Sequence, residues 1–129
     1  MKKAILSLTV LMLAVFMVGC THNSPKNIAK AYMKAIQEQK YEEAVDCMYI
    51  SGSDEDVKET KEEMVSLLKK FGKSVDQHQG IKKFEVTGVE ENGDSATVKG
   101  IVTYNDGKTK EDTVKTVKVD GKWYIDADK

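Results

Sequence analysis

The sequence predicts an α+β domain: three N-terminal helices packed on one face of a curved four-stranded antiparallel meander, preceded by a cleaved signal peptide. Three observations predict it. An uncharged apolar run follows two lysines at the N-terminus, apolar residues between positions 25 and 73 recur at helical spacing, and from Ile81 onward they alternate with polar residues between short glycine-containing turns. Helices followed by consecutive strands are typical of the α+β class.

The first element is a signal peptide. Lys2 and Lys3 precede the uncharged run from Ala4 to Val18, and Gly19 lies directly before Cys20. This ending resembles the lipobox of bacterial lipoproteins, whose cysteine receives acyl chains such as palmitate before cleavage. The resemblance implies an exported protein anchored through Cys20 to the cell envelope, on the outer membrane if the cell has one. An uncleaved membrane anchor and an ordinary secreted protein are the alternatives.

The chain then divides into a signal peptide at 1–19, a lipidated polar tether at 20–24 and one domain at 25–129. Removal of two lysines with the signal peptide changes the formal net charge from −1 to −3, and every basic residue is a lysine. Without arginine for bidentate phosphate or guanine contacts, we expect no nucleic-acid partner.

If Cys20 is acylated, Cys47 has no disulfide partner in the chain, and we interpret it as a buried apolar residue. No metal-ligand set is expected from Cys47, His22 and His78.

Three helices are predicted in the first half of the domain. Ser24 caps the first, which starts at Pro25 and fades near 39–40. The second covers 41–48. The third is capped by Ser53 or Asp54, has an acidic first turn, and ends near residue 73 with help from Gly72. Its buried side is predicted to contain Val57, Lys61, Met64, Val65, Leu68 and Phe71.

Four strands follow at about 81–90, 95–104, 109–119 and 122–127. A two-residue turn at 120–121 would pair Val119 with Lys122, and a three-residue loop at 105–107 would pair Val98 with Val114. A bulge near the first turn would bring Phe84 to the same inner face. Gly88 and Gly100 are predicted to mark a bend or a close backbone approach in the sheet.

Two segments carry a family resemblance. Residues 31–36 (AYMKAI) with 40–44 (KYEEA) look like the opening helix pair of the nuclear transport factor 2-like (NTF2-like) superfamily, and 119–125 (VDGKWYI) looks like its final hairpin. With the lipobox, the chain is similar to small bacterial lipoproteins of a domain-of-unknown-function family sometimes labelled lumazine-binding-like. The resemblance implies a cone-shaped, cystatin-like α+β roll with a pocket between sheet and helices. It implies no activity, because this fold hosts enzymes, binding proteins and interaction modules.

Catalysis is not expected, and neither is a cofactor. Isomerases and dehydratases of the superfamily resemble one another in holding an acid–base Asp, His or Tyr in the cone. The candidates here are Asp46, Tyr32, Tyr49, Tyr104 and His78. Their spacing predicts no acid–base pair, and no nucleophile elbow or phosphate loop is present.

Two binding hypotheses remain. The favoured one is a membrane-anchored module that docks on an unidentified envelope protein through apolar residues of the outer sheet face. This surface would contain Ile101, Val117, Val119 and Tyr124. The alternative is small-molecule binding in the cone. That pocket would be lined by Tyr32, Met48, Tyr49, Phe84, Tyr104 and Trp123, unless these side chains simply fill the core.

Overall fold

The computed structural model describes residues 21–127, and the proposed signal peptide and Cys20 therefore lie outside the described residues. The fold is an α+β arrangement of three helices and an open mixed sheet in this part of the chain. The elements are α1 (Pro25–Gln37), α2 (Tyr41–Asp46), β1 (Met48–Tyr49), α3 (Asp54–Gln77), β2 (Ile81–Asn92), β3 (Ser95–Tyr104), β4 (Thr109–Val119) and β5 (Lys122–Asp126).

Both long helices start at the predicted serine caps. The Ser24 hydroxyl accepts a hydrogen bond from the Asn27 backbone N–H at 3.1 Å, directly before Pro25. The Ser53 hydroxyl does the same for the Asp56 N–H at 3.2 Å, ahead of the acidic first turn. Each cap satisfies an N–H that the first helical turn leaves without a partner.

The order of the strands in the sheet is β1-β5-β4-β3-β2. The predicted register is confirmed: Val119 pairs with Lys122, and Val98 pairs with Val114. The predicted strand count and purely antiparallel description were wrong, because β1 adds a fifth strand parallel to β5, with Met48 opposite Ile125. β1 is only two residues long, which is too short to show the alternation typical of a strand. It is a strand only because it pairs with β5.

A bulge lies inside β2 rather than at its turn. The register shifts between Val86 and Gly88, and this shift places Phe84 opposite Val102 on the inner face. A Cβ on Gly100 would lie 2.5 Å from the Phe84 ring, whereas a Cβ on Gly88 would meet no atom within 4 Å. Gly100 therefore marks the predicted close approach, and Gly88 follows the bulge.

The core lies between α1 and the inner face of the sheet, in two adjacent clusters. The first contains Ile28, Ala29, Cys47, Ala96, Val98, Val114, Trp123 and Ile125. The second contains Met33, Ala35, Ile36, Ala44, Val75, Ile81, Val102 and Tyr104. Tyr32 and Phe84 pack against both clusters and connect them.

The ends of α2 and α3 differ from the prediction. Helix α2 ends at Asp46, because Met48 enters β1. Helix α3 continues past Gly72 to Gln77, so this glycine does not end it. A Cβ at Gly72 would collide with the Tyr41 hydroxyl, and the glycine therefore serves the contact between α2 and α3.

Candidate functional site

A cleft of about 550 Å³ lies between α1, α3 and the inner face of β4 and β5. We call it the helix–sheet cleft. It exists because α3 packs mainly against α2 and makes few contacts with the sheet. It is lined by Tyr32, Met33, Ile36, Leu67, Leu68, Phe71, Asp112, Thr113, Val114, Lys115, Ile125 and Asp126.

The α3 wall of the cleft is apolar and open to solvent. Leu67 is 55% exposed and Phe71 is 40% exposed, and both are large apolar side chains. The sequence placed Phe71 on the buried side of α3, which was wrong. Within that helix the buried residues are Gly72 and Val75, and the rest of the predicted stripe (Val57, Lys61, Met64, Val65, Leu68) is half-buried.

Tyr32 supplies a polar group to the cleft. Burial, and secondarily the negative charge of Asp112, raises its pKa to about 12. The phenol therefore stays protonated at neutral pH and can donate a hydrogen bond. The cleft thus combines an apolar wall with a neutral donor and a nearby carboxylate, the mixture found in sites that bind apolar molecules with a few oriented polar contacts.

Of the six residues predicted to line a pocket, Tyr32 lines the helix–sheet cleft. Trp123 and Tyr104 are buried in the two core clusters, and Met48 and Phe84 pack against them. Tyr49 lies elsewhere, with its ring centroid 5.6 Å from that of Tyr124. Leu67 was not singled out from the sequence, and Phe71 was predicted to be buried rather than to line a cleft. The apolar spacing on α3 does not reveal how far this helix lies from the sheet.

An acid–base pair that the spacing did not predict connects two loops. His78 Nδ1 donates to Asp106 Oδ2 at 2.8 Å, and its ring stacks on Tyr104 at 4.6 Å between centroids. The Lys108 backbone N–H and His78 together lower the pKa of Asp106, the backbone hydrogen bond contributing most. The same loops share the Asn105 N–H to Gly80 carbonyl bond, so the pair fastens them.

The other acid–base candidate on the helices, Asp46, is exposed. Its Oδ1 lies 3.3 Å from the Lys61 ammonium, and both groups are open to water. An exposed pair of this kind leaves the carboxylate near solvent, away from the water-poor site that general acid–base chemistry requires.

On the outer sheet face, the predicted surface residues fall into two places. Val117 is directly opposite Tyr124, and Val119 is next along the same face. Ile101 lies six residues along β3 from Ser95, the partner of Val117, which corresponds to about 20 Å. The three residues on β4 and β5 can form one surface, and Ile101 cannot be part of it.

The tether packs on this surface. The Trp123 backbone N–H donates to the His22 carbonyl at 2.9 Å, and His22 Nδ1 donates to the Trp123 carbonyl at 2.7 Å. The His22 ring lies 4.6 Å from the Tyr124 ring between centroids. Two hydrogen bonds and a ring contact therefore attach the start of the described chain to β5.

Cys47 is fully buried at the end of α2, as expected. It is disulfide-bonded in the structure, contrary to the expectation that it has no partner within the chain. The chain has two cysteines, and the other, Cys20, lies outside the described residues.

Residues 21–127 contain neither a membrane-spanning helix nor a metal-binding cluster. No helix in this part of the chain is long and apolar enough to cross a membrane. Nor do three His, Cys, Asp or Glu side chains in this range come together in a way that could hold a metal ion.

The helices and the open mixed sheet, with the cleft between them, form one α+β domain. The fold is similar to that of a Campylobacter jejuni protein described as "Putative NTF2-like transpeptidase", with a TM-score of 0.70 and 19% identity over 80% of this chain and 97% of that one. It is also similar to RPA3114, a SEC-C motif containing protein from Rhodopseudomonas palustris, with a TM-score of 0.56 and 15% identity over 82% and 77% of the two chains. At these identities, the likeness shows the fold alone.

The model of a domain of unknown function, DUF4878, matches residues 18–126, and the chain belongs to this family. No curated protein sequence matches the chain significantly. The predicted NTF2-like fold and the assignment to a domain of unknown function are therefore confirmed. The lumazine-binding-like label and the lipoprotein assignment stay predictions.

Proposed function

We propose that this protein is a non-catalytic binding module of the bacterial cell envelope, anchored through acyl chains on Cys20, that holds an apolar small molecule in the helix–sheet cleft. The observation that carries the binding role is the solvent-exposed apolar wall of α3. Leu67 and Phe71 stay accessible beside a cleft of drug-ligand size. Exposed apolar groups grouped around a concavity are typical of a binding site.

The cleft is favoured over the outer sheet face for ligand capture. It groups its apolar side chains in one concave place, whereas Ile101 is separated from the other predicted surface residues. Docking of an envelope protein on the outer face stays a prediction. The polar contribution to ligand binding would come from the protonated Tyr32 hydroxyl, facing the apolar wall across the cleft.

Binding can be tested with the neutral fluorescent probe N-phenyl-1-naphthylamine, which brightens in apolar sites. We expect Leu67→Lys to weaken probe binding about tenfold, which corresponds to about 1.4 kcal/mol. Folding should be little affected, because substitutions at exposed positions typically change stability by about 0.5 kcal/mol or less. Val89, 37% exposed and outside the cleft, provides the matched control Val89→Lys. Equal binding by both variants would refute the cleft as the site.

The anchor has its own test. The disulfide at Cys47 opposes acylation, because an intrachain bond would occupy the Cys20 sulfur. Mass spectrometry of peptides from the envelope-extracted protein distinguishes the two forms. A diacylglyceryl group on an N-terminal Cys20 would support the proposed lipid anchor, whereas a peptide with Cys20 and Cys47 joined by a disulfide would refute it.

A further inference from the structure

The start of the described chain is attached to β5 by two hydrogen bonds and a ring contact. Residues 20–24 were expected to form a polar tether, but His22 is hydrogen-bonded to both backbone polar groups of Trp123, and its ring contacts that of Tyr124 in a tilted arrangement. Only Thr21 lies between His22 and Cys20, and the two Cα–Cα steps from His22 to Cys20 cover at most about 7 Å in an extended chain. An anchor on Cys20 would therefore hold β5 close to the lipid headgroups, without a flexible spacer.

The surface around this attachment point has the composition of a membrane interface. We call it the anchor-side surface, which consists of His22 in the tether and of residues on the outer face of β1, β5 and β4. They are His22, Tyr49, Val117, Val119, Lys122 and Tyr124. Tyrosine rings favour the headgroup level of a bilayer, and lysines lay their methylenes on apolar surface while the ammonium stays at the headgroups.

We propose that the anchor-side surface rests on the lipid bilayer that holds the acyl chains, so that the domain is fixed in one orientation. This inference rests on the lipid anchor of the proposed function. The occupant is argued from where the described chain begins: Thr21 directly precedes His22, whose ring contacts Tyr124, and the one residue between His22 and Cys20 is too short to carry the domain away from the membrane. A protein docked on the same surface would have to share that space with the bilayer.

Lysine footprinting tests the orientation. The acylated protein is placed in vesicles of phosphatidylethanolamine and phosphatidylglycerol, treated with a membrane-impermeant amine-reactive ester, and analysed by peptide mass spectrometry. Lys122 and Lys70 are both exposed, but Lys70 lies on α3, away from the surface. We expect at least a fivefold slower reaction at Lys122 in vesicles than in the lipid-free Cys20→Ser protein, and an unchanged rate at Lys70.

A second reporter checks that the protected area is the anchor-side surface. Lys99 lies on the outer face of β3, toward the end where Ile101 is found, and is exposed. Its reactivity should fall less than that of Lys122. The intact mass of the vesicle-bound protein is measured first. Absence of acyl chains would overturn both proposals, whereas an acylated protein with Lys122 and Lys70 equally reactive would overturn the orientation and leave the anchor in place.

Discussion

Gly100 is a position where the structure fixes the size of a side chain. A Cβ built there lies 2.5 and 2.6 Å from two carbons of the Phe84 ring and 2.7 Å from the Glu85 carbonyl oxygen. The oxygen belongs to the paired backbone and cannot move without disturbing β2. We expect Gly100→Ala to cost about 1–3 kcal/mol through overpacking, offset by about 0.4–1 kcal/mol from the stiffer unfolded chain.

At the middle of these two ranges the net loss is about 1.3 kcal/mol, which corresponds to a fall in Tm of roughly 5–10 °C in a domain of this size. Thermal and urea unfolding followed by circular dichroism measure it. Gly88→Ala is the matched control in the neighbouring strand, because its added methyl meets no atom within 4 Å. The reasoning is refuted if both alanine variants are as stable as the parent protein. If the Phe84 ring is the obstacle, Phe84→Leu and Gly100→Ala should combine with a cost below the sum of the two.

Two further predictions concern loop and helix contacts. Asp106→Asn should destabilise the protein at pH 7, because the carboxylate that accepts from His78 and the Lys108 N–H is lost. Folding lowers the pKa of Asp106. The contribution of Asp106 to the free energy of unfolding is therefore complete above its pKa in the unfolded chain, about 3.9, and is lost as the pH falls through its pKa in the folded protein. Urea titrations should show the gap between parent and variant closing below about pH 4, and a gap of constant size would contradict this. Gly72→Ala should raise the free energy of unfolding by less than the roughly 1 kcal/mol typical of this change in a helix interior, because the new methyl displaces the Tyr41 hydroxyl. The full gain should appear in a Tyr41→Ala background, and equal gains in both backgrounds would exclude the contact.

The sheet was largely predictable because its register depends on local signals. Asp120 and Gly121 both adopt positive φ, as a two-residue hairpin demands, and they fix the pairing of the strands on either side. β1 was not predictable for the opposite reason. Met48 and Tyr49 form a strand through parallel pairing with β5, which is distant from them in the sequence. Parallel strands are not joined by a tight turn, so the sequence between them contains no hairpin signal.

The candidate site was predicted less well than the fold. Aromatic residues can fill a core or line a pocket with the same spacing, and the difference lies in where the helices sit. Trp123 and Tyr104 filled the core, while Tyr32 was left at the cleft beside Asp112. The gap between α3 and the sheet depends on contacts such as that of Tyr41 at Gly72, which joins residues far apart in the sequence.

The two proposed surfaces can operate together because their apolar side chains lie on opposite faces of the sheet. The helix–sheet cleft is lined by Val114 and Ile125 from the inner face of β4 and β5, and the anchor-side surface carries Val117 and Tyr124 on the outer face of the same strands. Alternation along a strand sends neighbouring side chains to opposite faces, so a domain resting on lipid through one face leaves the other turned away from the bilayer. A ligand could then enter the cleft without displacing the anchor. Loss of probe binding in Leu67→Lys should accordingly leave the protection of Lys122 unchanged, and coupled loss of both would contradict this separation.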